Sequence, residues 1–284
     1  MRVVILLLAA TAAVAGADLV ELGRRLFHDR RLSRDGSLSC ATCHDPGRAF
    51  ADDRAVAHGI GGAAGTRNAP ALINRAGGAS FFWDGRVTSL EEQVLEPITN
   101  PKELGLTLEE AEERLGLKRD EIARALAGYV RSIRSGDSPF DRHVAGAFGA
   151  LSPQEQKGLE LFNGRSNCWV CHSGVKLTDE LFHNTGIAWR QGRLLDEGRF
   201  AVTRQPQDRG AFKTPTLREV SRTAPYMHDG SLATLEAVID YYDRGGNPNP
   251  GLHPALRPLR LSAEEKRALA AFLHSLTGRI EEGR

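Results

Sequence analysis

The sequence predicts a mainly α-helical protein built from two tandem helical domains with long loops. Three observations predict it. The chain carries two diverged copies of one plan, and the apolar residues of its regular segments recur at three- and four-residue spacing, as on one helix face. β-alternation is scarce, and 30 glycines and 13 prolines are concentrated in long connections. With 284 residues, 41% apolar and 26% charged, the chain is long enough for two ordinary domains and has a globular composition.

Residues 1–17, MRVVILLLAATAAVAGA, read as a secretory signal: Arg2, an apolar core from Val3, then Ala15-Gly16-Ala17, with cleavage near Ala17. A retained membrane anchor is the alternative, but about 15 apolar residues fall short of the roughly 20 that span a bilayer. The mature chain is therefore expected in the periplasm, with no membrane span. Lys and Arg total 37 against 36 Asp and Glu, so the broad basic excess of a nucleic-acid binder is absent.

The first domain, 18–145, opens with Gly23-Arg24-Arg25-Leu26-Phe27 and then Cys40-Ala41-Thr42-Cys43-His44. The second, 146–284, repeats this as Gly158-Leu159-Glu160-Leu161-Phe162 and Cys168-Trp169-Val170-Cys171-His172. Each closes with an amphipathic helix, the segment from Glu121 to Ile133 matching that from Glu264 to Leu276 at an offset of 143 residues. Ser262 with Glu265 supplies a capping-box start for the last helix. Between the copies, Ser135-Gly136-Asp137-Ser138-Pro139 and a Gly/Ala-rich run to Ser152-Pro153 read as the linker.

All four cysteines lie in the two Cys-x-x-Cys-His windows. Cysteines at i and i+3 share a helical face and can add to the two vinyl groups of a haem, while the adjacent His turns its imidazole to the iron. A zinc site and a redox dithiol are the alternatives. Zinc leaves the histidine after each pair unexplained, and a dithiol needs one pair and no His. The reading is two covalently bound c-type haems, with Cys40, Cys43, Cys168 and Cys171 as attachment points and His44 and His172 as iron ligands.

Between and beyond these windows, several runs keep order and spacing together. They are Gly65-Thr66-Arg67-Asn68-Ala69-Pro70, Phe81-Phe82-Trp83-Asp84-Gly85-Arg86, Leu90-Glu91-Glu92-Gln93 and Pro97-Ile98-Thr99-Asn100-Pro101-Lys102-Glu103. Thr214-Pro215-Thr216-Leu217-Arg218 and Thr223-Ala224-Pro225-Tyr226-Met227-His228-Asp229-Gly230 follow. Together they resemble the bacterial di-haem cytochrome c peroxidase and MauG family over about residues 19–278. The resemblance implies two cytochrome c-like domains, the N-terminal haem reacting with peroxide and the C-terminal haem transferring electrons. It implies that Glu103 shuttles the peroxide proton, that Gln93 holds the peroxide by hydrogen bonding and that Phe82 lines the pocket. Trp83 then bridges the haems, and Asn68 with the carbonyls of Thr223 and Pro225 forms a calcium site. Taken singly, each has an ordinary structural reading: Trp83 as packing, Glu103 as a first-turn helix carboxylate, Asn68 as a turn cap.

The chain departs from the family's peroxidases at the second haem, where they carry a Met ligand. Counting from His228, that position falls on Tyr242, and MauG resembles this arrangement. Met1 leaves with the signal, so Met227 is the only thioether that could ligate, as the alternative to Tyr242. His58 stands near the family's distal His on a glycine-rich loop and is either a resting-state ligand of the first haem or a solvent residue. His183 and Trp189 lie in the loop after the second haem motif, near that haem or in the core. His28, His143, His253 and His274 sit among polar residues and read as surface.

Three activities follow from the resemblance. One is reduction of hydrogen peroxide with electrons from a small cytochrome c or copper protein. A second is MauG-like oxidation or maturation of a protein substrate, and a third is electron transfer without catalysis. A homodimer is a further option.

Overall fold

The computed structural model describes residues 18–283, so residues 1–17, where a signal is expected, lie outside the described residues. Among them no helix is long and apolar enough to cross a membrane. The helices are α1 (18–27), α2 (Cys40–Cys43), α3 (Leu90–Gln93), α4 (Glu96–Thr99), α5 (Leu108–Leu115), α6 (Arg119–Ser132), α7 (Pro139–Val144), α8 (Pro153–Asn163), α9 (Phe200–Thr203), α10 (Leu235–Asp243) and α11 (Ala263–His274). Short 3-10 turns and long loops connect them.

Two apolar cores organise the chain. The first gathers Leu26 and Phe27 of α1, Ile98 of α4 and Ile122, Leu126, Tyr129 and Val130 of α6. The second gathers Leu161 and Phe162 of α8, Ile239 of α10 and Leu269, Phe272 and Leu273 of α11. The amphipathic periodicity marks both closing helices, and Ser262 and Glu265 reciprocally cap α11 at 2.8 and 3.2 Å. The expected linker is more ordered than its composition suggested. Pro139 begins α7, Phe140 packs edge-on against Phe272 of the second core at 5.6 Å, and Ser152 with Glu155 caps α8.

The helix pair in each core crosses at a glycine. A Cβ on Gly23 would lie 1.9 Å from the Ala125 carbonyl oxygen and 2.9 Å from Tyr129 Cβ. One on Gly158 would lie 2.0 Å from the Ala268 oxygen and 2.6 Å from Phe272 Cβ. Because the obstruction is backbone, neither can relieve it by a rotamer change. Gly158→Ala is expected to destabilise the second core by about 3 kcal/mol through overpacking, read as a lower thermal midpoint with haem content unchanged.

Strands are few. β1 (Arg134–Gly136) pairs antiparallel with β6 (Arg279–Glu281), β2 (Phe182–His183) with β5 (Phe212–Lys213), and β3 (Trp189–Arg190) with β4 (Arg193–Leu194). Arg134 faces Glu281, so the chain returns to the first core after completing the second, and Ile280 packs there.

Candidate functional site

One cavity of about 770 Å³ runs past both Cys-x-x-Cys-His windows. Cys40, Cys43 and His44 line one end, and Cys168, Cys171 and His172 the other. The first cysteine pair sits on the single turn of α2, where Ser39 N–H donates to Thr42 Oγ1 at 3.0 Å; in the second, Cys168 opens a 3-10 turn (Cys168–Val170) and Cys171 follows it. Each His is oriented the same way. His44 Nδ1–H donates to the Phe50 carbonyl at 3.2 Å and His172 Nδ1–H to the Leu177 carbonyl at 3.1 Å. That fixes the tautomer and leaves both Nε2 lone pairs for a metal. Burial lowers the pKa of both imidazoles, keeping them neutral as ligands must be. Burial likewise pushes Cys40 and Cys168 up to about 12 and Cys43 and Cys171 up to about 11, which disfavours the thiolates that zinc binding or dithiol exchange requires. An apolar cavity with neutral histidines and paired un-ionised thiols fits a covalently held haem at each end.

Toward the first end, α3 brings Gln93 to the cavity and the turn after α4 brings Glu103. Burial raises the Glu103 pKa above the ordinary carboxylate value. A hydrogen bond from Asn100 Nδ2 at 2.8 Å and the Arg86 cation oppose that rise without cancelling it. Phe82 lines the same space with φ at 64°, its ring 3.4 Å beneath the Arg86 guanidinium. A left-handed aromatic residue is uncommon and marks a turn fixed by its surroundings. His58 is exposed at the cavity margin. Its loop is less supple than its glycines suggested: Ile60 N–H donates to the Glu103 carbonyl at 2.9 Å, and a Cβ on Gly59 would meet the Lys102 oxygen at 1.9 Å. The loop therefore buttresses the Glu103 backbone.

At the second end, α10 carries Tyr242 into the cavity. Burial pushes its phenol well above the ordinary value, and the neighbouring Tyr241, Cys168 and Cys171 add to that. Met227 lines the cavity with φ at 76°. His183 Nε2 meets Asp179 Oδ2 at 2.7 Å, and its ring lies edge-on to His253 with centroids 4.7 Å apart. His253 is thus half-buried in the cavity wall, not the surface residue its polar neighbours suggested. His143 is also half-buried, with a buried Nδ1. Trp189 is half-buried and does not line the cavity, whereas His183 does.

The two ends meet at a junction that the sequence motifs did not reveal as a unit. Phe81-Phe82-Trp83-Asp84-Gly85-Arg86-Val87 and Tyr226-Met227-His228-Asp229-Gly230-Ser231-Leu232 form the same tight turn at an offset of 145 residues. Phe82 and Met227 both have positive φ, and Gly85 and Gly230 stand at +67° and +61°. Arg67 to Leu72 and Phe212 to Leu217 correspond at the same offset. Cross-bonding is reciprocal: Asn68 N–H donates to the His228 carbonyl at 2.7 Å, and Lys213 N–H to the Trp83 carbonyl at 2.8 Å. Trp83 Nε1–H also donates to the Asn68 carbonyl at 2.8 Å, so the indole is fixed within the first half while its backbone carbonyl is bonded from the second.

Ion pairs between distant segments reinforce this junction. Arg67 bridges Asp84 at 2.7 Å and Asp196 at 2.8 Å, and Arg75 pairs with Glu180 at 2.8 Å. Glu180 also pairs with the buried Lys213, whose pKa burial and the Arg75 charge lower to about 8. Lone Arg and Asp residues in loops carry no sequence signal; their pairing depends on the fold. Asn68 Nδ2 donates to the Arg54 carbonyl at 3.0 Å, which turns its amide oxygen away from that bond, and Asn68, Thr223 and Pro225 line the same cavity.

A family profile described as di-haem cytochrome c peroxidase matches residues 17–148. The methylamine utilization protein MauG of Methylorubrum extorquens is 40% identical over 277 residues, covering 91% of this chain and 78% of that protein. The chain belongs to the di-haem cytochrome c peroxidase family. Both enzyme branches are represented among its relatives. The cytochrome-c peroxidase IdrP2 of Denitromonas iodatirespirans is 36% identical over 94% of this chain and 83% of its own. A solved MauG-like protein associated with microbial copper homeostasis superposes with a TM-score of 0.85 at 33% identity, covering 92% of this chain and 89% of that one. Membership of the di-haem family implies two c-type haem cofactors, and the chain carries two Cys-x-x-Cys-His windows.

Proposed function

We propose that this protein is an exported di-haem c-type peroxidase. It reduces hydrogen peroxide to water with electrons from a small redox protein, relayed from the C-terminal centre to the N-terminal one. The observation that carries this is Glu103, a half-buried carboxyl of raised pKa close enough to act on Cys40 and Cys43 of the first window, in the cavity that Gln93 also lines. Haem held by Cys40, Cys43 and His44 and by Cys168, Cys171 and His172 would supply the redox chemistry. Glu103 accepts a proton from bound peroxide and returns it to the departing oxygen, which leaves as water. Gln93 orients the peroxide by hydrogen bonding, Phe82 walls the pocket against bulk water, and Trp83 carries electrons across the junction. The oxygens of Asn68, Thr223 and Pro225 suit a calcium ion between the halves, being the hard ligands it takes.

Tyr242 favours a second reading. A phenol oxygen on the second iron stabilises higher oxidation states than a thioether does, which suits MauG-like oxidation of a protein substrate. His58 and Met227 are the other distal candidates, at the first and second centres respectively. Pure electron transfer accounts poorly for Glu103, since transfer needs no acid–base group. The test is steady-state peroxide reduction by fully haem-loaded protein with reduced cytochrome and copper donors, before and after calcium chelation. Fast turnover that falls on chelation supports the peroxidase and its calcium. A peroxide-induced spectral change without donor turnover supports the second reading, and neither response supports the third.

A further inference from the structure

The internal repeat contains its own control for one buried residue. Tyr129 on α6 corresponds to Phe272 on α11, and the packing around them is equivalent: Gly23 abuts Tyr129 Cβ, and Gly158 abuts Phe272 Cβ. Phe27 meets Tyr129 with ring centroids 5.1 Å apart, as Phe162 meets Phe272 at 5.0 Å. Packing at this position is therefore satisfied by phenylalanine, and the Tyr129 hydroxyl is an addition. It donates to the carboxylate of Glu282, in the segment that returns through β6. Tyr129 is fully buried, yet its partner is the charged group of the exposed Glu282 and not a neutral carbonyl. Arg24 and Glu21 are the other charged groups acting on the phenol.

The ring is also close to the first centre. Phe27 lines the cavity beside Cys40 and His44, and Phe50, whose carbonyl orients His44, lies 6.4 Å from Tyr129. One aromatic contact thus separates the phenol from the haem cavity.

We propose that Tyr129 and Glu282 form an oxidisable tyrosine site, a second outlet for oxidising equivalents on the first half of the protein. Tyr129 loses one electron and its phenolic proton. The proton passes to a Glu282 carboxylate oxygen, and the electron reduces the peroxide-oxidised centre at His44 by one equivalent. A carboxylate is the stronger base, so it suits this transfer better than the carbonyl that would satisfy a merely structural hydroxyl. When no donor protein is engaged, the oxidising equivalent moves to Tyr129 instead of damaging the haem pocket. This rests on the peroxidase reading for its oxidant.

The test mixes donor-free, fully haem-loaded protein with peroxide and follows haem absorbance and freeze-quenched electron paramagnetic resonance together. A tyrosyl signal is expected in the parent protein and lost in Tyr129→Phe, a variant that reproduces the Phe272 packing and keeps the haem response. Glu282→Gln is expected to slow the signal's appearance by about 10²-fold, the low end of what a positioned base contributes. A haem response with no tyrosyl signal, or with one that survives Tyr129→Phe, overturns the site and leaves the peroxidase intact. Absence of any haem response overturns the peroxidase reading and with it the oxidant this site requires.

Discussion

Replacing Glu103 by Gln is expected to cut peroxide turnover by about 10²–10⁴-fold while both haems stay bound, the range a positioned acid–base group contributes. Gln keeps the size and one hydrogen-bonding oxygen of the side chain, so the Asn100 contact can persist while the proton relay is lost. The pH profile sharpens this test. Glu103 must be ionised to take the first proton, and burial holds its pKa above the ordinary value. The parent rate should therefore rise with pH through a carboxylate titration displaced upward, and Glu103→Gln should flatten that rise. Stability should move the other way. A carboxyl whose folded pKa is raised favours folding least at pH values above that pKa, because ionisation in the buried site is penalised. At neutral pH the Gln variant is expected to melt higher than the parent. Loss of turnover with gain of stability is a pair of results that general damage to the pocket does not produce. Unaltered turnover would remove Glu103 from the chemistry.

The second large effect is expected from Tyr242→Met. Axial ligands set haem potentials over about 0.8 V, and exchange of a phenol oxygen for a thioether is expected to raise the second centre by roughly 0.2 V. Spectroelectrochemical titration reads this directly. The same variant should gain steady-state turnover with a reduced cytochrome donor, because a higher potential accepts its electrons more readily, and lose any oxidation of a protein substrate. An unchanged spectrum and potential at the second centre would show that Tyr242 is not its ligand. Burial beside Cys168 and Cys171 is what makes the residue eligible. The change must be read on the second centre alone, with the first centre's spectrum as the internal standard.

Much of this organisation was legible because local sequence determines it. Cys-x-x-Cys-His specifies its geometry within five residues, and the periodicity of Glu121 to Ile133 and Glu264 to Leu276 marks α6 and α11. The cap on α11 was legible for the same reason, being a local exchange between Ser262 and Glu265. What stayed hidden depends on separate segments meeting. Arg67 reads as an ordinary loop cation until the fold sets Asp84 and Asp196 beside it. His253 reads as polar surface until His183 covers it. The turn repeat at Trp83 and His228 was masked by side-chain divergence; Asp-Gly and the preceding positive φ persist where Trp and His share no chemistry. Likewise nothing near Ile280 signals that its strand belongs beside Arg134 to Gly136.

The reciprocal bonds from Asn68 to His228 and from Lys213 to Trp83 have one more consequence. A contact in which position i of one half meets j of the other, and j meets i, is the rule of a two-fold homodimer. Identical subunits joined that way must place the same residue at both ends, so electrons crossing between them would find no preferred direction. Covalent linkage of the two halves lifts that restriction. One chain can set an indole at the first end and an imidazole at the second, and thereby give a symmetric scaffold a forward and a reverse.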